Sequence, residues 1–487
     1  MTLSKRISAR LDVKGSRLIK GIRYEGLRVV GDLSEAAISY ASQGADELLY
    51  IDTVASLYGR SSLGEILRDI SKEVFIPITA GGGIRTVQDA AYLLACGADK
   101  VAVNTAAIKR KGLISELANT FGSQSVVVSI QARKVDSNNW EAMIEAGRER
   151  TGKDVMEWVE EVQQEGAGEI LLTSVDQDGT CLGPDRDLIL ECSRIGTVPL
   201  VVSGGFTQYS DICECLKVRN ISCVAIGAAL HYKKLSIPEV KNYLVTNTSN
   251  FSVRNLPKQT TALFDGNKLS SSPIVCIVDY AMGNQQSLVN AFNSIGATTV
   301  ISSDAEILKQ SDIVVLPGVG AFPEGMRQLI LRNLDSEIVQ MASRGKPVLG
   351  ICLGMQMLFE RSTEFSLTQG LGLLKGNVDR LPEFDHKNEP LLVPHVGWNE
   401  LYTCQLNDFN NNKINGTVYQ YFVHSFAALP DDKKTIMFTT NYGGHEIVAG
   451  SLKDNICGLQ FHPERSGTEG LLLLKEISEH LLALETR

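Results

Sequence analysis

Histidine is scarce in this chain, with 7 in 487 residues and 6 of those in the second half, so no metal centre and no other cofactor is expected. Paired cysteine spacing is missing as well. The 10 cysteines include no CxxC, and the one CxC, Cys213 and Cys215, falls in a polar helical pattern; free thiols imply a reducing, cytoplasmic setting. Basic excess is absent, and a net charge of −9 argues against nucleic-acid or membrane-surface partners. No apolar run approaches the roughly 18 residues of a membrane-spanning helix, and the N-terminus lacks the apolar core of a signal peptide. What is present, 44% hydrophobic residues over 487 positions, is enough for two separate cores.

The segment GICLG (350–354) sets Cys352 between glycines after the apolar run KPVLGI, and about 110 positions later FHPE supplies His462 and Glu464. Small residues allow a sharp strand-to-helix turn that holds the sulfur at a helix N-terminus, where the dipole and a nearby imidazolium favour thiolate. His462 and Glu464 are two apart, so an extended strand points both to one face, with Glu464 orienting the imidazole that serves Cys352. This pattern predicts a nucleophilic acyl-transfer site.

The first half alternates strand-like runs with helical patterns: ADELLYID, EVFIPITA, DKVAVNT, QSVVVSI, GEILLTSVD, VPLVVSGG and SCVAIGAA. That rhythm predicts a (βα)₈ TIM barrel with its functional residues at the strand C-terminal ends. An internal repeat runs through it. GADELLYID and PITAGGG recur as GAGEILLTSVD and PLVVSGG at an offset of 122 (166 − 44 and 199 − 77), and VAVNTA recurs as VAIGAA. Each half carries a GG turn opening a helix and a second small-residue turn one strand later. Such turns expose backbone N–H groups to phosphate. Gly82, Gly83, Asn104 and Thr105 are assigned to one phosphate, and Ser203, Gly204, Gly205, Gly227 and Ala228 to another, which calls for a small substrate phosphorylated at both ends.

Residues 273–487 resemble the class I glutamine amidotransferases, within them the glutaminase subunit of imidazole glycerol phosphate synthases, through VDYAMGNQQSL, LPGVGAFPEGM, GICLGMQMLFE, VPHVGWNEL, YFVHSFAA and GLQFHPERSG. The resemblance implies a flavodoxin-like α/β domain in which Cys352 attacks the glutamine amide, His462 moves the proton and Glu464 orients it. It also implies that the turn containing Gly318, Val319 and Gly320 offers N–H groups to the oxyanion. Gln356, one helical turn after the nucleophile, is expected to contact glutamine.

The first half resembles the cyclase subunit of the same family through RISARLDVKGSRLIKG, FIPITAGGGIR, GADKVAVNTAA, FGSQSVVVSI and GEILLTSVDQDGT. This implies a formimino aminoimidazole carboxamide substrate with two phosphates, which ammonia converts to imidazole glycerol phosphate and aminoimidazole carboxamide ribotide. Proton transfer needs a pair of carboxylates. Asp12 stands at the first position, but the second is Gln131, whose amide cannot exchange a proton near neutral pH. Asp52, Asp176 and Asp178 remain at strand ends as candidates for substrate hydroxyls, and DQDGT with Pro184 departs from the family's DRDGT and its following tyrosine. Arg6, Glu47, Lys100 and Glu169 match a charged ring that gates ammonia at the strand starts, and Asp99 is expected to face the glutaminase domain.

The expected organisation is a barrel over 1–245, a polar linker over 246–272 and an amidotransferase domain over 273–487, the two domains docking within one chain. Glutamine and a small phosphorylated substrate are the expected partners. Two other readings stay open on the Gln131 change: an ammonia-channelling amidotransferase with another acceptor, such as a surface-polysaccharide sugar, and a ligand-sensing barrel that regulates a glutaminase.

Overall fold

The structure, a computed structural model, describes residues 3–55, 63–256, 268–269, 271–404 and 418–485. The chain divides into two compact units, one of Thr2–Pro257 with Leu392–Gly397 and one of Lys258–Leu391 with Trp398–Arg487.

In the first unit, eight parallel strands close on themselves: β1 (Arg6–Lys14), β2 (Glu47–Asp52), β3 (Ile78–Gly81), β4 (Lys100–Val103), β5 (Val126–Lys134), β6 (Glu169–Ser174), β7 (Leu200–Ser203) and β8 (Ile221–Ile226). Closure is made by β5 with β6, Gln131 opposite Thr173, and by β8 with β1, Cys223 opposite Arg6. Leu49, Ile51, Ala102, Val127, Leu171, Val201, Cys223 and Ala225 form one buried cluster, the packed interior expected of a (βα)₈ barrel. Two extra strands, Trp140–Ile144 and Glu149–Asp154, form a hairpin on β5, with Met143 opposite Gln131.

The repeat is visible in the backbone. Gly82 and Gly83 have φ of 113° and 76°, and Gly204 and Gly205 have φ of 112° and 84°. Asn104 (φ −137°, ψ −87°) and Gly227 (φ −112°, ψ −88°) adopt the same unusual conformation before their helices.

Packing on the barrel extends past residue 245, into the stretch expected to be linker. Lys5 N–H donates to Ser252 O at 2.9 Å, and Arg254 reaches Asp46 Oδ1 at 2.8 Å, an oxygen that Lys241 also binds at 2.6 Å. An apolar pair, Phe251 and Val253, and a buried ion pair hold a segment whose Ser/Thr/Asn composition reads as free coil. Residues 257–267 and 270 of that stretch lie outside the described residues.

The second unit is built on a nine-stranded mixed sheet and a smaller four-stranded sheet. Its parallel centre contains β9 (Ile274–Val278), β10 (Ile313–Leu316), β11 (Val348–Ile351) and β12 (Ile456–Leu459). Helices α1 (Phe322–Leu331) and α2 (Leu353–Met357) follow β10 and β11. Among the described residues no helix is long and apolar enough to cross a membrane.

Candidate active sites

Cys352 sits between β11 and α2 with φ 52° and ψ −107°, a conformation that costs an L-residue free energy and survives only where packing dictates it. The dictating contacts are tight. A Cβ on Gly354 would lie 2.1 Å from Leu316 O, and one on Gly318 would lie 2.4 Å from Gly354 N. The turn of Gly318, Val319 and Gly320 is thereby pressed against the elbow, and Tyr280 anchors it by donating to Pro317 O at 2.5 Å.

Beyond β12 the chain does not continue as the expected extended strand: Pro463–Arg465 form a 3₁₀ turn with His462 at its N-cap, and that turn, not strand alternation, brings Glu464 to His462. Gln460 Nε2 lies 3.6 Å from Cys352 Sγ, and His462 Nδ1 donates to Glu464 Oε1 at 2.7 Å. All three are buried, and His462 Nε2 has no hydrogen-bond partner. Burial pushes the His462 imidazolium down, but the charges of Glu464 and Cys352 outweigh it and hold its pKa well above the ordinary histidine value. His424, by contrast, is pushed down to about 4 by burial, against its hydrogen bond to Phe426 O. Gln356, expected to contact glutamine, is buried, and its amide NH₂ donates to Phe426 O at 2.9 Å and to Gln460 Oε1 at 3.1 Å. Gln460 was not singled out in the sequence, although it lies two residues before His462.

In the barrel, β1 turns Arg6, Ser8, Arg10 and Asp12 to one face by strict alternation, with Ile7, Ala9 and Leu11 on the other. At the strand starts, Arg6 binds Glu47 at 2.6 Å and also Glu169, and Lys100 binds Glu47 at 2.8 Å and Glu169 at 2.5 Å. The four expected ring residues therefore form a closed, fully buried circuit. Burial would raise Glu169, but Arg6 and Lys100 hold it below the ordinary glutamate value. Asp99 is buried and accepts from Ile78 N–H at 2.8 Å.

At the strand C-terminal ends, Asp12 is clamped. Arg10 Nε donates to it at 3.0 Å and Lys20 binds its other oxygen, while Lys20 also holds both oxygens of Asp178 at 2.9 Å. Burial pushes Asp12 up, but Arg10 and Lys20 outweigh it and keep the carboxyl well below the usual range. The clamp thus favours the Asp12 carboxylate over its protonated form. Arg10 also donates to Thr173 at 2.9 Å, Ser203 at 3.2 Å and Tyr24 at 2.7 Å. Its inward parity on β1 was readable, but its reach across to β6 and β7 was not.

The first set of phosphate residues, Gly82, Gly83, Asn104 and Thr105, lines a cavity of about 460 Å³ together with Asp52, Gln131, Arg85, Lys109, Arg110 and Glu145. The second set, Ser203, Gly204, Gly205, Gly227 and Ala228, lines a separate recess with Asp178. Asp52 accepts from Val54 and Ala55 N–H at 3.0 and 2.9 Å, and burial raises its pKa. Asp176 accepts from Lys134 N–H at 2.8 Å, at the rim.

Residues 6–236 match the family described as histidine biosynthesis protein, and residues 276–476 match glutamine amidotransferase class-I. The imidazole glycerol phosphate synthase subunit HisF of Legionella pneumophila is 56% identical over 206 residues, 42% of this chain and 97% of that protein. The HisF subunits of Dictyoglomus turgidum and Helicobacter hepaticus are each 42% identical, over 242 and 244 residues, 50% of this chain and 96% of each relative. The chain belongs to the imidazole glycerol phosphate synthase family of histidine biosynthesis, with a HisF-type barrel followed by a class I glutamine amidotransferase domain in one polypeptide.

Proposed function

We propose that Cys352 hydrolyses glutamine and that the ammonia converts a formimino substrate with two phosphates, held in the barrel, to imidazole glycerol phosphate and aminoimidazole carboxamide ribotide. The observation that carries the glutaminase half is the buried Cys352 on its strained turn, with Gln460 at 3.6 Å and His462 fixed by Glu464 at 2.7 Å. The sulfur attacks the side-chain amide carbon, His462 protonates the departing ammonia, and the N–H groups of the Gly318–Gly320 turn stabilise the oxyanion. Hydrolysis of the thioester then releases glutamate.

In the barrel, the matched turn conformations at Gly82–Gly83 and Gly204–Gly205, and at Asn104 and Gly227, support two phosphate cradles. The cavity at the first carries three cations, Arg85, Lys109 and Arg110, against two carboxylates, Asp52 and Glu145. Asp12 stabilises positive charge that develops on the reacting nitrogens, and the ring of Arg6, Glu47, Lys100 and Glu169 gates ammonia entry at the strand starts. The 10 free cysteines fit a reducing cytoplasm. Neither amination of a polysaccharide sugar nor a purely regulatory barrel gains support from the relatives.

The test is to incubate the purified chain with the two-phosphate formimino substrate and either glutamine or ammonium, following products by mass spectrometry. Imidazole glycerol phosphate is expected from both nitrogen sources. Its absence while glutamate is still released overturns the cyclase reading.

A further inference from the structure

The barrel has a gap in its chemistry. Ring formation and fragmentation require proton traffic between two carboxylates, of which Asp12 supplies one, while Gln131 at the second position has no proton to give or take near neutral pH. Asp178 is bound through both oxygens to Lys20. Asp52 uses Oδ1 to cap its own turn, and Asp176 lies at the rim against Lys134 N–H.

One further carboxylate lines the same cavity as Gln131. Glu145 follows the hairpin strand Trp140–Ile144, whose Met143 pairs with Gln131, so the hairpin delivers its carboxylate from the strand beside β5. Its backbone is fixed there by φ 50° and by Glu145 N–H donating to Thr105 Oγ1 at 3.1 Å. The residue is 8% exposed. One oxygen, Oε1, meets Lys109 Nζ at 3.2 Å, while the other, Oε2, is buried with no partner; so is Gln131 Oε1. With Thr53 Oγ1 and Asn104 Oδ1, four lining residues of this cavity carry buried polar atoms without a partner, which is costly unless a ligand supplies hydrogen bonds.

We propose that Glu145 is a catalytic residue of the barrel reaction, exchanging protons with the substrate nitrogens while Gln131 beside it orients them by hydrogen bonding. This rests on the cyclase reading above. The ammonia nitrogen bonds to the formimino carbon, and the Glu145 carboxylate takes a proton from that nitrogen. The bond from the same carbon to the amine of the aminoimidazole ribotide then breaks, its electron pair staying on the amine nitrogen, which receives the proton from Glu145. The carboxylate is thereby regenerated, and the later loss of water on ring closure needs no other reactant. Lys109, itself 3.8 Å from Glu149, and Arg85, Arg110 and Asp52 around the cavity are the charged groups that set the Glu145 environment.

The experiment compares wild type, Glu145→Gln, Glu145→Asp and the double variant Glu145→Gln/Gln131→Asp with ammonium as nitrogen source, with a thermal melt of each. Glu145→Gln is expected to lower kcat by about 10²-fold or more with KM for the bisphosphate substrate nearly unchanged. Glu145→Asp should keep part of the turnover, and restoring a carboxylate at 131 should recover at least about tenfold of the loss, an effect that a structural role for Glu145 would not produce. Glu145→Gln turnover within about threefold of wild type, or a fall that neither Glu145→Asp nor Gln131→Asp relieves, overturns the assignment. Absence of imidazole glycerol phosphate from the wild-type chain overturns the functional reading itself, and is seen before any variant is compared.

Discussion

At the scale of single residues, two carboxyl groups of the amidotransferase unit do opposite things. Glu464 holds His462 in the tautomer and orientation that can serve the sulfur. Glu464→Gln keeps the shape and removes the charge, so glutaminase kcat is expected to fall on the order of 10²- to 10⁴-fold, read as glutamate release under saturating glutamine. Glu364 is a burden in the other direction. It accepts from Phe322 N–H at 2.6 Å at the start of α1, yet burial, outweighing that bond, pushes its pKa up to about 7. A folded-state value raised above the unfolded one means that the folded chain holds a proton the unfolded chain has released, so this contribution to stability is complete at about pH 4 and is lost as pH rises towards 7 and beyond. Glu364→Gln retains an acceptor without the titration. Its unfolding free energy should match wild type near pH 5 and exceed it near pH 8 by a few kcal/mol at most, read in denaturant melts; equal pH profiles would count against the buried, raised carboxyl.

At the scale of elements, the elbow and the charged ring are opposite ways of filling a crowded space. Around Cys352, glycines remove side chains so that two turns can touch; Gly318→Ala forces a Cβ into Gly354 N at 2.4 Å. The turns must separate, and the proposed oxyanion donors move with them. We expect a loss of about 10²-fold or more in glutaminase kcat, measured by glutamate release, with a smaller change in KM. In the ring, space is filled by charge: Lys100→Met leaves Glu47 and Glu169 sharing Arg6 alone, and should destabilise the barrel by about 3–5 kcal/mol in denaturant unfolding. Much of this was legible in the sequence. Small residues around a nucleophile, apolar runs at regular intervals and a 122-position repeat are local or periodic signals, and the matched φ angles of the two glycine pairs are their physical counterpart. Arg10, Lys20 and Glu145 carried no such signal. Arg10 matters because closure brings Thr173 and Ser203 to it, and Glu145 because hairpin register sets it beside Gln131's strand. Composition likewise does not show where the start of the expected linker packs: it reports solvation, whereas Asp46, some 200 residues away in sequence, decides where Arg254 goes.

At the scale of the whole molecule, the two units divide one reaction, and ammonia is what they share. On the proposed roles, replacing Cys352 removes the source of ammonia and leaves the barrel's own chemistry in place. Cys352→Ala is therefore expected to abolish glutamate release and the glutamine-dependent formation of imidazole glycerol phosphate while ammonium-dependent formation stays within about twofold of wild type; the loss of 10³-fold or more typical of a deleted nucleophile should appear in one assay only. The small side-chain change at a strained turn also relieves φ 52° no further than alanine tolerates, so the fold should persist and a melt should confirm it. Equal loss in both assays would mean that the barrel depends on the state of the nucleophile elbow, and the two units would then have to be treated as one catalytic system instead of a source and an acceptor.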